Sequence, residues 1–154
     1  MRILTAVNIA ILLAGSTQLQ AVTVESYQKH RADPTTTEAV FDKLYLDGLG
    51  DGMQAANLTG FLNSAKSGNP TLLYCSPPGL ALQTDNYMAI LDSEIKRSLD
   101  LAADDPVKIK AVMRRNIDHL LIEGLIRTFP CTPAKIQEVI QGIIQQEPPA
   151  KKKQ

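Results

Sequence analysis

The sequence predicts an all-α domain, a small bundle of about five helices tied by one disulfide. Three observations carry that expectation. Apolar residues recur three and four apart through several successive segments, and alternation of β-branched residues is absent over any useful length. Helix-start signals stand at Thr35 to Glu38, at Asp105-Pro106 and at Thr132-Pro133. The chain holds two cysteines, Cys75 and Cys131, a pair that can form a single internal bridge.

The first 21 residues read as a removable leader rather than as part of the fold. Arg2 is followed by an apolar run from Ile3 to Ala14 and then a polar stretch ending in Leu19-Gln20-Ala21. That is the layout of a secretory signal peptide, with cleavage expected after Ala21. The apolar run is too short to span a bilayer, which takes about 20 residues. No cysteine follows it, so no lipid anchor is expected, and the predicted location is the periplasm. Export places Cys75 and Cys131 in an oxidising compartment, where a bridge between them is expected.

The elements follow in order. Residues 22 to 33 can hold one short helix, ended by Asp33-Pro34. Thr35 with Glu38 has capping-box spacing. A long helix then runs through Val40, Phe41, Leu44, Tyr45, Leu49 and Met53 to about Leu62, and Asn69-Pro70 closes it. Pro77-Pro78-Gly79 excludes helix. Thr84 or Asp85 can cap a third helix carrying Met88, Leu91, Ile95 and Leu99. Asp105-Pro106 opens a fourth, expected to continue to about Thr128 with Met113, Ile117, Leu120, Leu121 and Gly124 on one face. Thr132-Pro133 opens a fifth with Ile136, Val139, Ile140, Ile143 and Ile144, ended by Pro148-Pro149. The folded domain is expected over residues 22–146, with a disordered basic tail over 147–154.

The segment Asp47-Gly48-Leu49-Gly50-Asp51-Gly52 bears on function. A phosphate loop would need a preceding strand and a lysine. A calcium loop would need oxygen ligands at alternate positions, where Leu49 stands instead. The helical pattern runs through the segment, so the glycines read as a packing surface. At about 100° per residue from Val40, Gly48, Gly52, Ala55 and Ala56 fall between about 60° and 160°, on the side of Phe41. These four are the expected helix-packing residues. Leucine at Gly48 or Gly52 should then overpack by about 1–3 kcal/mol. Gly50 falls near 280°, on the far side, where alanine should be harmless.

Composition narrows the function. Without the leader the charges are 15 Lys and Arg against 16 Asp and Glu. Without Lys151-Lys152-Lys153 as well, the body carries −4. No basic cluster suggests nucleic-acid binding, and no spacing of Cys, His and carboxylates suggests a metal. The two histidines are His30 and His119. The latter projects beside Arg115 and Glu123, away from the apolar face, and Asp104-Asp105 reads as a cap. No catalytic residue and no cofactor are expected, and the protein is not expected to be an enzyme.

Two stretches resemble the Rap immunity proteins of type VI secretion. One is Tyr45-Leu46-Asp47-Gly48-Leu49-Gly50-Asp51-Gly52. The other pairs Tyr74-Cys75-Ser76-Pro77-Pro78 with Phe129-Pro130-Cys131. Together they run from about Phe41 to Cys131. An additional cysteine near the start of the glycine helix, frequent in that family, is missing here. The resemblance implies a periplasmic helical fold related to the HdeA-like acid-stress chaperones. It implies neutralisation of a toxin or enzyme by direct occlusion, a protein partner such as a secreted effector, and compatibility with a homodimer. The alternative reading is an HdeA-like chaperone or a structural component of an envelope or secretion assembly.

Overall fold

A computed structural model describes residues 21–77 and 80–146. The leader expected over 1–21 therefore lies outside the described residues but for Ala21, and so does the tail expected over 147–154. Among the described residues six helices form: α1 (Val24–Arg31), α2 (Thr37–Lys66), α3 (Thr84–Ala102), α4 (Pro106–Met113), α5 (Ile117–Thr128) and α6 (Pro133–Gln146). The fold is a small helical bundle with one disulfide, as the sequence predicts.

The centre is α3, which packs against α2, α4 and α5. Its Tyr87, Met88, Leu91 and Ile95 are buried, three and four apart, and α5 answers with Ile117, Leu120, Leu121 and Leu125, all 0 % exposed. Each such aliphatic side chain contributes about 2 kcal/mol on leaving water. Gly124 lets the two axes approach, because a Cβ there would stand 2.7 Å from Ile90 Cγ2 and 3.3 Å from the Ile90 carbonyl oxygen. Val24 and Tyr27 of α1, Leu46 of α2, and Tyr74 and Leu82 from the link into α3 complete the core.

The expected fourth helix is two helices. No glycine or proline stands at residues 114–116 to break it. The break comes from the chain preceding α1, where Thr23 bridges Asn116. Val24 N–H donates to the Arg115 carbonyl at 2.9 Å, and Ile117 N–H donates to the Val22 carbonyl at 3.0 Å. These bonds replace those a continuous helix would have made.

Helix starts differ by a residue from two expectations. The cap of α2 is Thr36, whose hydroxyl accepts from Ala39 N–H at 3.2 Å, while Thr35 bonds to the Asp33 carboxylate instead. Before α3, Gln83 N–H donates to Asn86 Oδ1 at 2.9 Å, so Thr84 is already helical. Asp105 caps α4 as expected, accepting from Val107 and Lys108 N–H, and Thr132 accepts from Lys135 N–H at α6.

Cys75 and Cys131 are bonded, with Cα atoms 5.0 Å apart. Cys75 N–H also donates to the Phe129 carbonyl at 2.8 Å. The link before α3 is thereby fixed to the junction of α5 and α6.

Candidate functional site

The two faces of α2 differ in an unexpected way. Its inward face buries Ala39, Asp42, Leu46, Gly50, Asn57 and Phe61. Three of these six are polar or lack a side chain, and each has a partner far away in the sequence. Asp42 Oδ2 meets His30 Nδ1 of α1 at 2.8 Å. Asn57 Nδ2 donates to the Tyr74 carbonyl, and Asn57 Oδ1 accepts from Leu73 N–H, both at 2.8 Å. This amide thus holds the extended link along α2. At Gly50 the ring of Tyr87 lies directly on the helix backbone, and a Cβ would stand 2.1 Å from Tyr87 Cε2. Gln54 Nε2 donates to the Tyr87 hydroxyl.

The outward face also carries large apolar residues. Phe41 and Leu44 are each 63 % exposed, Val40 is 50 % exposed, and Tyr45, Leu58 and Leu62 are exposed as well. Gly48 and Gly52 lie among them with nothing within 4 Å of a built Cβ, and Ala55 and Ala56 are exposed. The expectation that Gly48, Gly52, Ala55 and Ala56 pack a helix of this chain is therefore corrected. The close approach is at Gly50, on the opposite side. Periodicity gave the angular separation of the two faces, but the inward side is the one carrying Asp42, Leu46, Gly50, Asn57 and Phe61. Leucine at Gly48 or Gly52 meets open space, and the expected destabilisation passes to Gly50.

A crevice of about 360 Å³ borders this face, lined by Ala55 and Leu58 of α2, by Leu72, Tyr74 and Cys75 of the link, and by Val139 of α6. Tyr74 is 1 % exposed. Its hydroxyl has no hydrogen-bond partner among the described residues, and burial, with Tyr87 nearby, pushes its pKa up to about 12. Ile136, Val139 and Ile140 of α6 are half-buried.

One edge of the outward face is acidic. At about 100° per residue, Asp47 and Asp51 project to the same side of the Gly48–Gly52 line. Both are exposed, and Thr84 Oγ1 donates to Asp47 Oδ1 at 2.6 Å. The exposed Asp85 is the next residue along α3. Lys43 and Lys66 stand nearer the two ends of α2.

The remaining charges are arranged structurally. Glu94 of α3 is buried yet meets Arg97 and Arg127. Burial raises its pKa, but the hydrogen bonds and charges of the two arginines outweigh that and hold the carboxyl below its ordinary value. Tyr27 donates to Asp92 Oδ1 at 2.9 Å, and Arg31 reaches Asp92 Oδ2 at 2.8 Å, joining α1 to α3. Burial first, then the Asp92 charge, raises the Tyr27 pKa. His119 is exposed, and Arg115 and Glu123 pair at 2.5 Å. Among the described residues, no group of three or more His, Cys, Asp and Glu is placed to hold a metal. No described helix is long and apolar enough to cross a membrane.

The chain matches no protein-family model, no curated protein and no solved structure. The function must be argued from the surface itself.

Proposed function

We propose that this protein is an exported binding module that holds a protein partner against the outward face of α2, neutralising a toxin or enzyme by occlusion as the Rap-type immunity proteins do. One observation carries the reading. On α2 a row of bulky apolar side chains, Val40, Phe41, Leu44 and Tyr45, points outward, while Asp42, Leu46, Gly50, Asn57 and Phe61 secure the helix on the other side. A helix of about 45 Å bearing such a stripe is an interaction surface rather than scattered exposure. Export through the leader and one disulfide suit a rigid periplasmic domain.

The test is copurification from the periplasm, without crosslinker, of wild-type protein and of a Phe41→Glu/Leu44→Glu variant. Neither side chain takes part in the core, so the variant should melt at the wild-type temperature. A single stoichiometric partner retained by wild type and lost by the variant supports the proposal. Recovery of many unrelated unfolded proteins by the same face would favour the chaperone alternative. A partner retained equally by both proteins would remove α2 from the reading.

A further inference from the structure

We infer that the segment seated on α2 is an amphipathic helix of another protein, with an apolar face flanked by lysine or arginine, and not a second copy of this chain. The inference rests on the proposed use of the α2 face and adds the chemistry of its occupant.

Shape sets the first requirement. The N-terminal part of the face carries Val40, Phe41, Leu44 and Tyr45, the middle carries Gly48, Gly52, Ala55 and Ala56, and Leu58 and Leu62 follow. The built Cβ positions at Gly48 and Gly52 meet nothing within 4 Å, so a helix axis can come close there. An occupant needs bulky apolar residues over the glycines and smaller ones over Phe41 and Leu44. Its largest side chain has the crevice beside Ala55, Leu58 and Val139 to enter.

Charge sets the second. Asp47 and Asp51 line one edge beside the glycines, with Asp85 close by, and none of the three forms a salt bridge among the described residues. An approaching helix with basic residues on that edge gains attraction as water is displaced. A second copy does not. Antiparallel two-fold pairing across Gly48 and Gly52 would place Asp47 and Asp51 of both copies along one edge, where like charges oppose each other. Parallel pairing would set Phe41 and Leu44 against their own images and leave the glycine stretches apart.

The experiment uses the oxidised mature chain and two synthetic helical peptides of about 20 residues with identical apolar faces. One is flanked by lysines and the other by glutamates, and binding is read by fluorescence anisotropy at low and high salt. The lysine peptide should bind about tenfold more tightly at low salt, with the gap closing at high salt. In Asp47→Asn/Asp51→Asn the gap should close at both salts, since asparagine keeps the acceptor for Thr84 but not the charge. Gly52→Leu, which meets open space in the folded chain, should weaken both peptides. Equal binding of the two peptides would overturn the basic-partner inference while leaving the α2 face intact. Binding unaffected by Gly52→Leu, or no binding by either peptide, would overturn the face as well. A dimer in sedimentation that Gly52→Leu disperses would make a second copy the occupant and overturn the inference.

Discussion

Alanine at Gly50 isolates the contact that orients α2. The added methyl carbon would stand 2.1 Å from Tyr87 Cε2, 2.2 Å from Cζ and 2.6 Å from Cδ2. Relief to normal contact requires a relative shift of about 1.5 Å. Tyr87 has little room to give: it is 0 % exposed within the core, and its hydroxyl is tied to Gln54. Overpacking of this kind costs about 3 kcal/mol. Alanine in place of glycine within a helix returns about 1 kcal/mol. The net expectation is a loss of about 2 kcal/mol, or a melting temperature lower by about 6–10 °C at this chain length. Gly48→Ala and Gly52→Ala keep the helix gain without the clash and should each stabilise by about 0.5–1 kcal/mol. Urea denaturation followed by far-ultraviolet circular dichroism on the oxidised protein measures all three. In a Tyr87→Leu background, which removes the ring, Gly50→Ala should become neutral or stabilising. Wild-type stability for Gly50→Ala in the native background, or destabilisation by Gly52→Ala, would refute the orientation of α2.

Other perturbations probe separate contacts. Reducing the disulfide frees a span of 56 residues, and urea titrations with and without reductant should differ by roughly 4 kcal/mol. Asn57→Ala leaves the Leu73 N–H and the Tyr74 carbonyl without their partner, and the same titration should show a loss of about 2–3 kcal/mol. Glu94→Gln should cost about 1–2 kcal/mol at neutral pH, the moderate figure reflecting partly solvated arginines. The Glu94 carboxyl is held below its unfolded value. Its contribution is therefore present above about pH 4.3 and lost as pH falls through the folded value. The stability gap between wild type and Glu94→Gln should narrow in acid, and a gap that widens there would contradict the pairing.

Sequence made most of the interior legible because α3 and α5 bury apolar side chains at helical spacing, so pattern and packing agree. The disulfide was legible for a different reason: a chain with two cysteines leaves one internal pairing. The orientation of α2 was not. Its outward stripe is apolar as well, and its inward contacts depend on His30, Leu73, Tyr74 and Tyr87, which local periodicity does not connect to it. The lone signal was Gly50 itself, a helical glycine set opposite the others with no local reason to be there. The break between α4 and α5 left no mark either, because its cause is the segment before α1, over 90 residues away. For the candidate site, the sequence pattern assigns Gly48, Gly52, Ala55 and Ala56 to the interior, whereas the structure leaves all four exposed.

The bond between Cys75 and Cys131 also divides the chain into parts that open differently. It encloses α3, α4 and α5 in one covalent ring, while α1 and α2 lie outside and are held by packing and polar contacts alone. The outer pair can detach without opening the ring, so native-state hydrogen exchange should show α2 amides exchanging through a cheaper opening than those of α3 and α5. The helix proposed to meet the partner would then be held less firmly than the helices inside the ring. Partner binding should slow its exchange first.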